Sequence, residues 1–361
     1  MDAVTGASPP VDHPAHDFDV VEHDKADDAG WNEFVNAQAP SQFFHRIEWR
    51  DLIETHFGYP CRYLSARRGS AVVGVCPLVH FRSVFAGNAL ISTPFLVRGG
   101  PIGESEDIVQ ALVEAAVDLA YELQVDYLEL RNEKPVRDAS RAALQTKGLY
   151  VNFRRPLAPD LDTNLKAIPR KQRAMVRKGM KHGLRSSSDV DIDRFYAIFC
   201  DSYRNLGTPV FSKGLFTQLF EMFPAECAMT TILHKDDAIA SVISFFDGDT
   251  VFPYYGGGTS AARSVQGNDF MYWSVLERAV DEGVSHFDFG RSKVDTGSYS
   301  FKKNWGFEPS PMPYQYALIR GRELPNVSPT NPKFALPIEI WKRLPIGLTK
   351  IIGPPIARRV G

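Results

Sequence analysis

No part of this 361-residue chain approaches the ~18 consecutive apolar residues that a membrane-spanning helix needs. Cysteine is scarce. Cys61, Cys76, Cys200 and Cys227 stand apart, with no CxxC and no histidine at metal-ligand spacing. That excludes a disulfide framework and a zinc site, and predicts core thiols in a reducing cytoplasm with no metal in the working site. Charge of one sign is also missing: the net value is -2, so attraction to a polyanion must come from a local patch. The opening MDAVTGASPPVDHPAHD has acidic residues and prolines where a signal peptide carries positive charge and an apolar core. Residues 1–16 therefore read as a disordered leader, and the protein as cytoplasmic.

What is present is enough chain for two cores, since 361 residues exceed the roughly 250–300 at which one core splits. The two halves run through the same order. In the first, strands over 62–66 and 71–81 (AVVGVCPLVHF) form a hairpin, and a strand over 89–97 runs into Arg98-Gly99-Gly100. A helix with Ile108, Leu112, Ala115 and Leu119 on one face follows, then a strand over 127–131, a short helix over 139–146 and a strand over 150–155. In the second, strands over 229–234 and 238–246, a strand Val251–Tyr255 ending in Gly256-Gly257-Gly258, a helix over 269–283 and strands over 287–291 and 314–319 repeat that order. A period near half the chain predicts a duplicated α/β unit, each half a mixed sheet flanked by helices. The divisions fall at 17–158 and 189–322, with a basic linking helix over 159–188 and a Pro-rich tail over 323–361. In that tail Trp341, Leu344, Ile351 and Ile352 are candidates for peripheral contact with an anionic inner membrane.

Chemistry concentrates in two places. The linking helix carries Arg170, Arg173, Arg177 and Lys181 on one face, and no acidic residue occurs from Thr163 to Ser188. Guanidiniums without counterions suit phosphate: a pyrophosphate-linked lipid, a nucleotide sugar or a tRNA backbone. The second place is Thr250–Phe307, where Asn268 and Asp269 are positioned to cap the helix and FDFGRS…GSYSFKKNWGF follows it.

On the repeat, Arg170–Leu184, the Tyr254-Tyr255-Gly256-Gly257 turn, Phe287–Ser292 and Phe301–Phe307, residues 40 to 320 resemble the FemAB-type branch of acyltransferases with the GCN5-related N-acetyltransferase (GNAT) fold. The chain is similar to CelD-type acyltransferases and to FemAB-like proteins of exosortase and exopolysaccharide gene clusters. The resemblance implies tandem GNAT-like α/β domains with mixed, mostly antiparallel sheets. It implies transfer of an acyl or aminoacyl group to an amine or hydroxyl of a cell-envelope precursor, peptidoglycan or exopolysaccharide. No cofactor stays bound; the donor is a co-substrate, an acyl-coenzyme A, acyl-carrier protein or aminoacyl-tRNA. The coenzyme A loop pattern, Arg/Gln-x-x-Gly-x-Gly/Ala, is met neither at Arg263–Asn268 nor at Arg98–Gly103, which leaves the donor open.

Acyl transfer needs a proton acceptor, an oxyanion stabiliser and aligned substrates. Asp288, between Phe287 and Phe289 in a strand, faces away from both rings; it either orients the acceptor in a cleft or pairs with Arg291 to hold the loop. Lys302 or Lys303 supplies a point cation, Lys302 by resemblance, and the other points to solvent. Tyr254, Tyr255, Gly256 and Gly257 either aim N–H groups at substrate or make a plain turn. Arg291, Ser292, Tyr299 and Trp305 complete the expected substrate contacts, together with Arg170, Arg173 and Arg177. Two other readings stay open: an inactive GNAT-fold module docking carrier or polysaccharide machinery, and a tRNA-binding surface on the basic helix.

Overall fold

A computed structural model describes residues 17–38, 40–324 and 335–360; the leader expected at 1–16 lies outside them, as do tail residues 325–334. The first half opens with β1 (Asp19–Glu22), α1 (Asp28–Asn36) and α2 (Glu48–Leu52). β2 (Leu64–Arg68) and β3 (Ala71–Cys76) form the expected hairpin around Gly69, whose φ of 62° suits a residue without Cβ. The run expected as one strand over 71–81 is two. Pro77 offers no N–H to a ladder, so β3 stays in a small sheet with β1 and β2 while β4 (Leu78–Ser83) enters a large one.

β5 (Gly87–Ser92) is shorter than predicted because Thr93 and Phe95 turn the chain with φ of 44° and 74°. After β6 (Ile102–Gly103), α3 (Glu106–Glu122) forms where periodicity placed it. The Ser105 hydroxyl accepts the Ile108 N–H at 3.3 Å, acidic residues fill the first turn, and Ile108, Leu112, Ala116 and Leu119 bury. β7 (Tyr127–Arg131) follows. No helix forms over 139–146: Ala139 and Ala142 bond each other in a turn, and β8 (Gln145–Pro156) pairs from its first residue. Ladder pairing outweighs the weak helical preference of that run.

The second half runs α4 (Leu161–Ala167), α5 (Arg170–Lys181), β9 (Arg185–Ser187), α6 (Ile192–Leu206), α7 (Lys213–Met222), β10 (Cys227–His234), β11 (Asp237–Asp247) and β12 (Thr250–Gly258). Then come α8 (Ser260–Ser264), α9 (Gly267–Asp281), β13 (His286–Lys293), α10 (Gly297–Asn304), β14 (Pro309–Leu318), α11 (Ala335–Arg343) and α12 (Ile346–Ala357). Rather than one sheet per half, a single ten-stranded sheet crosses both, in the order β4-β5-β7-β14-β8-β13-β12-β11-β10-β9. The final strands are exchanged. β14 of the second half lies on β7 of the first, and β8 of the first lies on β13 of the second. β8 and β14 also pair with each other, which leaves no free strand edge where the halves meet.

Two parallel pairs sit inside this antiparallel sheet. β5 and β7 pair only over Ala89–Ile91, and β12 and β13 only over Thr250 and Val251; beyond those points the strands separate. Phe287 and Phe289 pack with Trp273, Trp305 and Phe307 on one face of the sheet. On the other, α6 and α7 set Phe199 and Phe216 against Tyr255. Each buried phenylalanine contributes roughly 1.5–3 kcal/mol, so the walls of the β12–β13 gap are fixed before any ligand arrives. α11 and α12 pack on α6, and Trp341, expected at a membrane, is buried there.

Candidate active site

Separation of β12 from β13 opens a crevice of about 660 Å³. β12 contributes Pro253 to Gly258, α9 contributes Asn268, Met271 and Tyr272, and α6 contributes Ser202 and Tyr203. Phe95 and Val97 come from the first half, so both halves wall it. Gly256, Gly257 and Gly258, expected to stop the strand, continue it, pairing with Val242, Ser241 and Ala240. Their lack of side chains serves packing: a Cβ on Gly257 would lie 2.4 Å from Ser202, and one on Gly258 2.1 Å from Asn268 Oδ1. Close approach of α6 and α9 to the strand requires glycine.

α10 brings Lys302 to the floor. Thr296 caps the helix by accepting the Tyr299 N–H, and one turn later the lysine turns inward while Lys303 is exposed, as adjacent helical residues must diverge. Lys302 Nζ donates to Gly290 O at 2.9 Å and Arg291 O at 3.0 Å. Those two carbonyls converge because β13 bulges between Asp288 and Arg291, with Gly290 at φ 69°. Burial pulls the Lys302 ammonium down to about 7; Asp288 opposes the shift and the Arg291 guanidinium adds to it. With two N–H groups spent on carbonyls, one tetrahedral position of Nζ remains, a lone pair when neutral and a donor when charged.

Asp288 faces away from the rings of Phe287 and Phe289, as alternation requires, yet it does not line the crevice. It is buried in an ion pair with Arg98 from the first half, accepts the Asn152 amide at 3.1 Å and the Gly290 N–H at 2.8 Å. Neither expected role holds: the carboxylate is buried away from the crevice, and its partner is Arg98 rather than Arg291. Arg98 also meets Glu133 at 2.7 Å. The set clamps the two halves together beneath the bulge that holds Lys302.

Tyr254 lines the crevice with its hydroxyl 3.3 Å from Phe95 O, and Tyr255 lines it from the core side. Arg291 lines it too, donating to the Tyr314 hydroxyl at 3.0 Å, its guanidinium 4.5 Å from the Tyr150 ring centroid. Ser292 is buried and does not line it. Tyr299 packs edge-on against Phe153 at 5.4 Å, outside the lining. Trp305 is fully buried, donating to Asp269 at 3.2 Å, so it is core rather than substrate contact.

Asp269, expected as a cap, is buried instead, accepting from Gln172 and Trp305; burial lifts its carboxyl to about 6. α9 begins one residue past Gln266, at φ 61°, without a side-chain cap. On α5, Val176 and Gly179 face α9, where a Cβ on Gly179 would meet Phe270 at 2.9 Å. The opposite face of α5 is exposed. Arg170, Arg173 and Arg177 do not line the crevice, and Arg173 donates to Lys166 O at 3.1 Å. Among the described residues Arg170, Lys171, Arg177, Lys178 and Lys181 have no ion-pair partner, and no carboxylate or histidine lines the crevice.

Arg98, Asn152, Arg263, Asn268 and Tyr272 are site or clamp residues that the sequence did not assign to those roles. Arg98 alone left a signal, a charge set between an apolar run and two glycines in PFLVRGG.

Comparison with known proteins agrees with this fold. The acetyltransferase (GNAT) domain family matches residues 170–303, from the basic helix through Lys303. The structure of FemX superposes with a TM-score of 0.64 at 14% identity, covering 84% of this chain and 98% of that one. The fold is a FemAB-like tandem of GNAT domains. A tandem GNAT protein from the clavulanic acid biosynthesis pathway shares it, with a TM-score of 0.54 at 13% identity over 85% of this chain and 99% of that one. So does the C-terminal domain of a putative lysylphosphatidylglycerol synthetase from Agrobacterium fabrum, at 0.55 and 12% over 81% and 91%. Among curated proteins no sequence matches. Within the FemAB-like fold, the second half's strand separation is the crevice. In the first half the corresponding gap is filled by the chain itself: Arg131 donates to Thr93 O at 3.1 Å and Leu96 O at 2.6 Å.

Proposed function

We propose that this protein transfers an activated acyl or aminoacyl group from a carrier to an amine, using Lys302 as the proton acceptor. The observation that carries the reading is a buried lysine, held by two carbonyls and lowered to about 7, on the floor of a crevice without another group that titrates near neutrality. The acceptor nitrogen attacks the carbonyl carbon and its proton passes to neutral Lys302. The resulting ammonium lies beside the new oxyanion and stabilises it. Collapse expels the carrier thiol or hydroxyl, which recovers the proton.

The unpaired cations on α5 support an acceptor bearing phosphate, a phosphate-linked glycan or envelope precursor, held on the exposed face of α5 rather than inside the crevice. A donor panel tests the whole: acyl-coenzyme A, acyl-carrier protein and aminoacyl-tRNA offered with amino-sugar acceptors, and products weighed by mass spectrometry. Transfer from one donor is expected. Saturable binding of a donor with no product from any of them contradicts transfer and favours the second reading, a docking module, which the missing carboxylate supports.

A further inference from the structure

A second, larger cavity of about 910 Å³ shares no lining residue with the acyl-transfer crevice. It lies between the β4–β5 hairpin, the start of α7 and the end of α12. Arg82, Arg358 and Arg359 line it, and among the described residues none of the three has a carboxylate within ion-pair distance. Arg82 Nε reaches only His80 at 3.3 Å and Asn88 Oδ1 at 3.4 Å. The Arg358 guanidinium stands 5.7 Å from the Tyr59 ring centroid. Gly58 makes room for it, since a Cβ there would lie 2.9 Å from Nη2. His56 in the wall is bonded to Gln218 at 2.8 Å and Ser212 at 3.0 Å, and burial lowers its pKa, so it brings no negative charge. A cavity with three guanidiniums and no acid is built for an anion.

The rim adds apolar surface. Val84 and Phe85 sit at the tip of the β4–β5 hairpin, 81% and 42% exposed. Ser83 ties that tip to the turn that follows α12 by donating to Arg359 O. On α12, Leu348, Ile351 and Pro355 recur at i, i+3 and i+7; Ile351 is 73% exposed, while Thr349, Gly353 and Ala357 on the opposite face are buried. Pro355 lines the cavity, which joins this face to it. Lys342, Arg343, Lys350, Arg358 and Arg359 stand against a single carboxylate from Ala335 to Val360, Glu339, itself paired with Lys342 at 2.7 Å.

We propose that this face docks on an anionic lipid bilayer, with the hairpin tip and the apolar side of α12 among the headgroups and a lipid phosphate in the arginine-lined cavity. Neighbouring apolar and cationic groups on one face match the two attractions an anionic interface offers. Of the tail residues expected at a membrane the proposal keeps Ile351 and drops the buried Trp341, and it is independent of whether the crevice performs acyl transfer.

The test is co-sedimentation of the full chain with phosphatidylcholine vesicles, alone or containing about a third phosphatidylglycerol. Binding is expected to the anionic vesicles only, and to weaken at high salt. Arg358→Ala and Arg359→Ala should each weaken it by about fivefold, and Val84→Asp combined with Phe85→Asp should abolish it while far-UV circular dichroism is unchanged. If the hairpin variant unfolds, Ile351→Glu carries the test with the same expected loss. Equal binding to both vesicle types, or unaltered binding by the hairpin variant or its substitute, overturns the proposal. So does thermal stabilisation by glycerol phosphate without vesicle binding, which would assign the cavity to a soluble phosphate.

Discussion

Replacing Lys302 by methionine separates chemistry from folding. In the folded protein this amine is lowered from 10.5 to about 7. The unfolded chain therefore binds more protons than the folded one between those values, and stability rises with pH across that window. At pH 7 the retained proton disfavours the folded state by about 4 kcal/mol, and the penalty is gone above the unfolded pKa. Methionine removes it at every pH, fills similar volume and loses two hydrogen bonds, to Gly290 O and Arg291 O, worth about 1 kcal/mol each. Lys302→Met is thus expected to be more stable than wild type at pH 7 by about 2 kcal/mol. At about 2 cal/mol/K per residue this is a rise of roughly 3 °C in midpoint temperature. The advantage should vanish and reverse as pH approaches 10.5, while transfer activity is lost at every pH. Denaturation followed by circular dichroism at several pH values reads the stability. A difference that does not change between pH 7 and pH 10 refutes the depressed lysine, and wild-type turnover in the variant removes Lys302 from the mechanism.

Asp269 makes a parallel case of opposite charge. Its carboxyl, lifted from 3.8 to about 6, favours the fold when protonated, so stability falls as pH rises through that window. Asp269→Asn keeps an acceptor for Gln172 and Trp305 and should stabilise at pH 7 by on the order of 2–3 kcal/mol, an advantage that fades below pH 4 in urea titrations. Arg98→Met leaves the buried Asp288 carboxylate without its cation and should cost about 3–5 kcal/mol in the same assay. Adding Asp288→Asn to it should recover much of that, and a strictly additive loss would count against the clamp. Changing Arg170 and Arg177 together to alanine should raise KM for a phosphate-bearing acceptor about tenfold with kcat unchanged; equal effects on an uncharged acceptor would contradict phosphate recognition.

The elements whose signals are local were legible in the sequence. α3 and α9 follow from apolar spacing, and α5 from its Pro169 start and Gly183 end. The fold class was readable because the two halves repeat one order of elements. The exchange of β8 and β14 was not, since it depends on which of two similar edges each strand meets, a long-range choice that leaves no mark on either segment. The site divided in the same way. Lys302 was set apart from Lys303 only by the family resemblance, since the local pattern says that one of two adjacent helical lysines turns inward but not which. Asp288 was assigned the correct face of its strand but not its surroundings, because its partner Arg98 lies 190 residues away. Trp305 looks like a site residue and Asp269 like a helix cap, and the two prove to be each other's buried partners. The glycines of β12 look like a turn until the helices crossing them are seen.

The central claim is that Lys302 takes the acceptor's proton, and the pH dependence of a single turnover with a productive donor and amine tests it most directly. The account predicts a rate that climbs as Lys302 loses its proton around pH 7, and no such step in Lys302→Met. A wild-type rate flat across that range, or one that falls as the lysine deprotonates, would contradict it.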